Sequence, residues 1–499
     1  MLLDSVLLGL SAALTWDRML VMFVATVLGL VLGAMPGLGP LAAMALLIPF
    51  TFTMDPLAAV LGLASISVAA NCSGSFSAIL LNVPGETAST ATCFDGHPMA
   101  RQGLATVAIG LSIGASFVAA VIGILAVIAV IQPLVSVALA FGPPENAALA
   151  AIGIAFVSSL ARKSITKGLV MAALGLWLST VGIDAVNGEP RYTFGLIELQ
   201  DGIDLVPVMT GLFAVTEIVS WIQERGTISR LGRLEGSVWR GVFDTLRYPV
   251  SLVRSTLVGI GVGVIPGVGS VIASFLAYEV ERLSSRSPGR FGQGAPEGVI
   301  APEAANNSSI SASLAPALAL GIPGGATSAL LLVALMVHGI RPGSMLLTGH
   351  SELLFGFLVG LIIGALMFLL VSVLFARPLA LVTLVRAELL APIFLVLCFA
   401  GVYAQDQQFS DILLAIIFGL VGCAAKALDF PPVPLVLGLV VGRLLETSVV
   451  QSLAISDGDW TIFFTRPVSG SLLAMAALVI VLTTLRGVRR KAIADPVES

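Results

Sequence analysis

The sequence Gly29-Leu-Val-Leu-Gly33-Ala-Met-Pro36-Gly37-Leu-Gly39 is the most informative part of the chain, because a similar sequence occurs in the second half. The second copy reads Gly259-Ile-Gly-Val-Gly263-Val-Ile-Pro266-Gly267-Val-Gly269. Both copies lie in strongly apolar sequence, where proline and glycine interrupt a helix. A broken helix inside a membrane leaves main-chain groups without partners unless it is buried in protein or lines a cavity. The duplication therefore predicts two structural repeats, each containing a broken helix.

Two further motifs recur in the same order. Ala69-Ala70-Asn71-Cys72-Ser73-Gly74 is echoed by Ala304-Ala305-Asn306-Asn307-Ser308-Ser309. Pro84-Gly85-Glu-Thr-Ala-Ser89 is matched by Pro323-Gly324-Gly-Ala-Thr-Ser328. Paired interruptions in two halves of a chain are typical of transporters that bind their substrate between the repeats. The alternative is that these residues only kink helices or let them pack closely, as small residues spaced four apart do.

The composition is that of an integral membrane protein. The chain has 499 residues, of which 57% are hydrophobic and only 11% are charged, whereas a soluble domain carries about 25% charged residues. We predict an all-α polytopic membrane protein with about 11–13 transmembrane or re-entrant helices, since a span needs about 20 apolar residues. We expect the two repeats to be inverted. The net charge of -4 and the lack of a basic patch argue against nucleic acid as a partner.

The predicted organisation has two membrane halves. The first is 1–222, with repeat 1 at about 18–135, and the second is 250–486, with repeat 2 at about 250–376. Between them, 223–249 reads as an amphipathic helix in the membrane interface, or else as an ordinary linker. Arginine and lysine clusters beside the apolar segments place this linker and the tail, 487–499, on the cytoplasmic side.

The broken helices are the predicted substrate site. Unwound backbone offers free amides, and a helix that begins just afterwards adds the positive end of its dipole, so the pair of breaks suits an anion such as a carboxylate. The residues predicted to bind substrate are Pro36, Gly37, Gly39, Asn82, Pro84, Gly85, Thr87, Ser89, Pro266, Gly267, Gly269, Pro323, Gly324, Thr327 and Ser328.

Small polar side chains in apolar sequence are the predicted cation site. Amide and hydroxyl oxygens are ligands that suit Na⁺, and an unpaired polar group in hydrocarbon is costly. The residues predicted to bind a cation are Asn71, Ser73, Asn306, Asn307 and Ser308. The alternative is hydrogen bonding between helices. Two nearby carboxylates, Glu297 and Glu303, are expected to have loop or helix-cap roles.

The sequence shows no catalytic constellation and no phosphate-binding loop of the G-x-x-x-x-G-K-[ST] type. We therefore expect no enzyme activity, no cofactor, no catalytic residues and no metal beyond Na⁺. Energy for transport would come from an ion gradient, carried by Na⁺ or H⁺, or from another subunit. A membrane-embedded enzyme and a channel remain the alternatives.

Several motifs together resemble one family. Gly33-Ala-Met-Pro-Gly-Leu-Gly-Pro40, Asp95-Gly96-His97-Pro98 and Pro296-Glu-Gly-Val-Ile-Ala-Pro-Glu-Ala-Ala-Asn-Asn-Ser308 are similar to the large membrane subunit of the tripartite tricarboxylate transporter family. The resemblance implies a multi-pass protein of the bacterial inner membrane that imports tricarboxylates, dicarboxylates or aromatic acids by cation symport. It also implies two partners, a small membrane subunit and a periplasmic solute-binding protein. Which acid is carried, which cation is coupled and the oligomeric state are left open.

Overall fold

Helices make up most of the structure. The computed structural model describes residues 2–34, 39–51, 54–82, 84–138, 142–148, 150–151, 165–183, 188–216, 218–219, 236–265, 269–340, 342–343, 346, 351–382, 392, 395–396, 398–400, 402–403 and 407–478. In this part, five helices are long and apolar enough to cross a membrane, namely Trp16–Ala34, Pro56–Leu81, Thr87–Ile131, Glu352–Ala376 and Phe409–Ala427. The prediction of an all-α polytopic membrane protein is confirmed. The number of spans and the inversion of the repeats stay predictions.

The first repeat is a run of helices around one buried helix. Its elements are α1 (Leu2–Ala13), α2 (Trp16–Ala34), α3 (Pro40–Thr51), α4 (Pro56–Leu81), a 3₁₀ turn (Thr87–Ser89), α5 (Thr90–Met99), a π turn (Ala100–Leu104) and α6 (Ala105–Ala138). Helix α4 begins where Asp55 accepts a hydrogen bond from the Ala58 amide and Pro56 takes the first helical position, both common helix-start signals. The small residues of α4 are nearly all buried, because α2 and α3 pack along it.

The connecting region and the second repeat follow. The connection contains α7 (Ile165–Ser179), a two-stranded antiparallel hairpin of Gly182–Ile183 and Pro190–Arg191, and α8 (Leu205–Met209), which continues into a π turn (Thr210–Val215). The second repeat contains α9 (Val238–Thr245), α10 (Pro249–Gly263), α11 (Gly269–Ser284), α12 (Glu297–Ala312), α13 (Leu314–Leu320), α14 (Ala326–Val337) and α15 (Ser351–Val382). Helices α16 (Phe409–Ala427), α17 (Val433–Ile455) and α18 (Ile462–Thr465) follow, and an apolar helix, Pro467–Leu478, ends the described chain.

Glycines on the matching helices α2 and α10 allow the same close packing. A Cβ atom on Gly33 would collide with the Ala70 carbonyl of α4, and one on Gly263 would collide with the Ser309 carbonyl of α12. Close approach of this kind is what small residues permit between membrane helices. Helix α2 therefore packs on α4 as α10 packs on α12. In both repeats, the glycine motif allows this close contact between two helices.

The two repeats interlock instead of lying side by side. Helix α6 of the first repeat packs against α12 and α13 of the second, while α15 of the second packs against α4 and α2 of the first. The flanking helices are exchanged as well: Gly9 of α1 lies against the main chain of Phe355 in α15, and Gly241 of α9 lies against Gly110 in α6. Because each repeat completes the packing of the other, the core between them is a shared structure.

The helices outside the repeats also meet through glycine. Gly175 of α7 faces the main chain at Leu435 of α17, and Gly211 faces Ala415 of α16. An ion pair between Arg191 of the hairpin and Glu446 of α17 adds a polar contact, with a nitrogen–oxygen distance of 2.8 Å. These elements contact the repeats where α8 and its π turn pack against α3 and where α17 packs against α14.

The predicted interfacial helix at 223–249 is described in its second half only, because 220–235 lies outside the described residues. In α9, Val238, Gly241 and Thr245 are buried against α6, whereas Trp239 and Phe243 are exposed and their rings stack with centroids 5.9 Å apart. Such a two-sided helix fits the amphipathic pattern expected at an interface. The division into domains and the cytoplasmic tail at 487–499, which is also outside the described residues, stay predictions.

The glycine packing yields a paired stability prediction. Gly263→Ala should lower the melting temperature of the purified protein, because the added methyl group meets the Ser309 carbonyl and overpacking costs about 1–3 kcal/mol. Gly261→Ala is the control on the same helix, since a Cβ there meets nothing within 4 Å. Thermal unfolding in detergent measures both, and equal melting temperatures would contradict the proposed packing.

Candidate functional site

The first Pro-Gly break follows α4 and folds back onto it. Asn82 ends the helix in the left-handed conformation, with φ 58°, and the Gly85 amide donates a hydrogen bond to the Gly74 carbonyl at 3.0 Å. A Cβ on Gly85 would lie 2.6 Å from the carbonyl oxygen of Gly33, so only glycine fits here. The chain then enters the turn Thr87–Ser89 and α5.

The second break has the same construction. Gly321 ends α13 in the left-handed conformation, with φ 70°. A Cβ on Gly324 would lie 2.8 Å from the Gly263 carbonyl oxygen and 2.6 Å from the Ser313 Cβ. Helix α14 begins directly afterwards at Ala326. In each repeat, the Pro-Gly break thus returns to the end of the glycine-rich first helix, α2 or α10.

This arrangement brings together several residues that the sequence predicted as one site. Pro84 is half-buried, Gly85, Pro323 and Gly324 are buried, and Asn82 is exposed. Gly39 lies directly before α3, and Gly269 opens α11 with φ 76°. The four remaining residues of the first motif, Pro36, Gly37, Pro266 and Gly267, lie outside the described residues.

The hydroxyl groups after the two breaks differ in their bonding. Thr87 is exposed and Thr327 is half-buried. The Ser328 hydroxyl caps its own helix, accepting from the Gly325 amide at 2.9 Å and donating to the Gly325 carbonyl. The Ser89 hydroxyl, in the matching position of the first repeat, is fully buried and has no hydrogen-bond partner. The first break therefore leaves an oxygen atom available where the second does not.

A buried carboxylate lies between the repeats. Glu303 of α12 is 1% exposed and accepts hydrogen bonds from Thr92 of α5 at 2.5 Å and from Ser112 and Ser116 of α6 at 3.3 Å each. The amide of Asn307 donates to the Ser116 hydroxyl at 2.9 Å. The expectation of a loop or helix-cap role for Glu303 is wrong, because the exchanged helix α6 covers this face of α12. Glu297, in contrast, lies in the first turn of α12 as expected.

A second carboxylate connects the first break to the second repeat. Glu86, between Gly85 and Thr87, accepts a hydrogen bond from the side-chain amide of Asn306 at 2.7 Å. Among the described residues, no arginine or lysine pairs with Glu86 or Glu303. Two acidic groups without a basic partner in a membrane protein core are costly and are by default functional.

The other predicted cation ligands have bonds within or between helices. The Asn71 amide donates to the Ser67 carbonyl one turn earlier. Ser73 donates to the Gly29 carbonyl of α2 at 3.3 Å, and Ser308 donates to the Thr256 carbonyl of α10 at 3.1 Å. These hydroxyl bonds join the first helix of each repeat to its buried neighbour, which is the alternative that the sequence left open.

The packing also corrects the register of the sequence echo. Gly85 contacts Gly74 as Gly324 contacts Ser313, so the repeats align Gly74 with Ser313. On that alignment Asn306 matches Ser67 and not Asn71, one helical turn away from the pairing read from the sequence. Short runs of alanine, asparagine and serine resemble one another in more than one register, whereas contacts between backbones specify a single register.

Comparison with known proteins decides the family. The description "Tripartite tricarboxylate transporter TctA family" matches residues 19–437, which include both breaks and both carboxylates. The chain belongs to the tripartite tricarboxylate transporter TctA family. It is therefore a membrane subunit of a tricarboxylate transporter, and the family is one of transporters, not of enzymes.

Two proteins of Agrobacterium vitis are similar to this TctA-family chain. One, named "Uncharacterized 52.8 kDa protein in TAR-I ttuC' 3'region", is 36% identical over 490 residues, which cover 98% of each chain. The other, "Uncharacterized protein in TAR-II ttuC' 3'region", is 34% identical over 229 residues, which cover 46% of this chain and 95% of that protein. No solved structure matches the chain.

Two site residues of this TctA-family protein received no binding role from the sequence. Glu86 stands inside the Pro-Gly motif and Glu303 inside the Asn-Asn motif. For Glu303, a carboxylate within a predicted span is itself a signal of function. The sequence did not show the hydrogen-bond partner of either carboxylate, because Asn306 and Thr92 each lie in the opposite repeat.

A third acidic residue fixes the two repeats of the TctA-family protein beside the site. Asp95 of α5 is fully buried. One of its carboxylate oxygens accepts hydrogen bonds from the amides of Gly292, Gly294 and Ala295 at 2.8–2.9 Å. The other oxygen accepts a hydrogen bond from the Tyr278 hydroxyl at 2.8 Å. Because this loop leads into α12, Asp95 sets the position of α12 relative to α5.

This contact gives a second prediction. Asp95→Ala should lower the melting temperature of the purified protein, because three amides lose their acceptor and one of them, that of Ala295, is buried. A buried donor without an acceptor costs about 1–3 kcal/mol. Asp459→Ala is the control, since that carboxylate accepts hydrogen bonds in an exposed turn at Thr461. Thermal unfolding in detergent compares the two variants. Similar melting temperatures would show that Asp95 does not hold the repeats together.

Proposed function

We propose that this protein imports organic acids across the bacterial inner membrane, driven by the entry of Na⁺ or H⁺. The acid is a tricarboxylate, a dicarboxylate or an aromatic acid. It is delivered by a periplasmic solute-binding protein, and a small membrane subunit completes the transporter. Membership of the TctA family supports this proposal, and the site supports it independently.

The observation that carries the proposal is the pair of matching breaks. Each ends a buried helix at a left-handed residue, Asn82 or Gly321, and each is followed within a few residues by the start of a new helix. Helix N-termini expose amides and a positive dipole end, and hydroxyl groups at Thr87 and Thr327 lie in the same first turns. Neutral donors of this kind suit a substrate carboxylate in apolar surroundings.

The interlocked fold supports alternating access. The exchanged helices α6 and α15 each contact both repeats, so the repeats cannot separate without moving these helices. A substrate bound between the breaks would be passed from one side to the other by movement of the repeat core against its surroundings, as in other transporters with paired broken helices.

The alternatives predict different behaviour in liposomes. A transporter accumulates the acid only with a cation gradient and the binding protein. A channel gives downhill flux that does not saturate, and an enzyme converts its substrate. Uptake of labelled citrate and of other acids into proteoliposomes containing both membrane subunits, with the purified binding protein outside, separates the three.

Substitution of the threonines tests the substrate site. Thr87→Val combined with Thr327→Val should raise the KM for acid uptake about tenfold or more, since a hydrogen bond to a charged group contributes about 1.5–3 kcal/mol. Thr180→Val is the control, because that residue directly follows α7 and its exposed hydroxyl donates to the Trp177 carbonyl in the last turn of the helix. An unchanged KM in the double variant would remove both threonines from the site.

A further inference from the structure

Two oxygen atoms without hydrogen-bond partners belong to residues that contact Glu86. The Ser89 hydroxyl and the Asn306 side-chain carbonyl are buried, with residue exposures of 0% and 1%, and neither atom has a hydrogen-bond partner. Asn306 is held against Glu86 by its own amide nitrogen. Ser89 is in the same turn, where its backbone amide donates to the Glu86 carbonyl at 3.2 Å. Buried polar atoms without partners are rare and indicate a missing ligand or water.

The charge of Glu86 also lacks compensation. Glu303 accepts hydrogen bonds from three hydroxyl groups, whereas the structure records one side-chain donor for Glu86. In the described part of the chain, neither carboxylate forms an ion pair with a basic side chain. A partly buried carboxylate of this kind either takes up a proton or is stabilised by a positive charge near it.

The available atoms define the chemistry of that charge. A carboxylate, a hydroxyl and an amide carbonyl are hard oxygen ligands, which suit alkali and alkaline-earth cations. Within the described residues, no group of three or more histidine, cysteine, aspartate or glutamate residues that could hold a metal ion is present. With one carboxylate at the site, a single positive charge gives neutrality, so Na⁺ fits better than a divalent ion.

The second repeat does not contain an equivalent site. On the alignment of Gly74 with Ser313, Gly325 takes the place of Glu86, and the hydroxyl of Ser328 is used by the helix cap. Ser67 takes the place of Asn306, and Ala64 that of Glu303. The polar cluster therefore occurs where the two repeats differ, and it occurs once.

We propose that the Glu86 carboxylate and the unpartnered oxygens of Ser89 and Asn306 form a single Na⁺ site that admits the anionic substrate. This inference rests on the proposed function and names its coupling site. Glu86 stands between Gly85 and Thr87, both predicted to contact substrate, so its negative charge repels a carboxylate until a cation neutralises it. Sodium and acid then bind together for an electrostatic reason.

Direct binding of sodium tests the site. Equilibrium binding of radioactive Na⁺ to the purified complex of both membrane subunits is measured for the unaltered protein, for Glu86→Gln and for Glu297→Gln. Glu297 is the control, because it lies in the first turn of the same helix as Asn306. We expect Na⁺ binding to be lost in Glu86→Gln and kept in Glu297→Gln. No Na⁺ binding to the unaltered complex, or equal binding in all three proteins, would overturn the proposal.

Ser89→Ala provides a second variant that does not depend on removing a charge. It deletes an oxygen atom without a partner, so the fold loses no hydrogen bond, and the Na⁺ concentration for half-maximal binding should rise severalfold. Ser77→Ala is the control, because that hydroxyl donates to the Gly74 carbonyl of its own helix, and its Na⁺ affinity should not change. Equal affinities in the two variants would remove Ser89 from the site.

Exchange transport separates this inference from the proposed function. In proteoliposomes, Glu86→Gln should exchange internal for external acid without needing Na⁺, but should no longer accumulate acid with a Na⁺ gradient. If the unaltered protein accumulates acid with a proton gradient alone, the proposed function holds and the sodium site is wrong. If it accumulates no acid with either gradient, the proposed function itself fails, whatever the Na⁺ binding data show.

Discussion

Main-chain groups in a membrane must be satisfied by protein, and this constraint shapes the whole core. Each Pro-Gly break is accommodated because it folds back onto a glycine of its own repeat. The Gly85 amide bonds to the Gly74 carbonyl, and Gly85 and Gly324 approach the carbonyls of Gly33 and Gly263 too closely for any side chain. The break, the glycine-rich helix and the buried helix between them therefore form one unit, and a change in any of them disturbs the other two.

Interlocking of the repeats places polar groups from distant parts of the chain in one cluster. Helix α6 leaves the first repeat and covers α12 of the second, and so Ser112 and Ser116 reach Glu303. Asp95 adds a connection on the other side of α5 by holding the loop before α12. The site thus lies between repeats that have similar backbones but different side chains. Its carboxylates are at positions where the other repeat has uncharged residues.

Electrostatics connects the cluster to transport. Two like unit charges about 6 Å apart repel by about 3 kcal/mol at an effective dielectric constant of about 20. A carboxylate substrate beside Glu86 would meet repulsion of this order, and a bound cation removes it. With the sodium site proposed above, cation and substrate would bind together for this electrostatic reason.

Local features of the sequence were enough to predict the class of the fold and the position of the breaks. Apolar segments, low charge and the repeated Pro-Gly motifs predicted a helical membrane protein with two broken-helix repeats, because the constraints on backbone in lipid are local and are visible in composition. Gly85 and Gly324 were both predicted at positions where the structure leaves no room for a side chain. The alignment of the repeats and the pairing of polar groups depend on contacts between distant helices. The pairing of Glu86 with Asn306 and of Glu303 with Thr92 depends on helix exchange between repeats, and contacts over such distances along the chain leave no periodic pattern in one sequence.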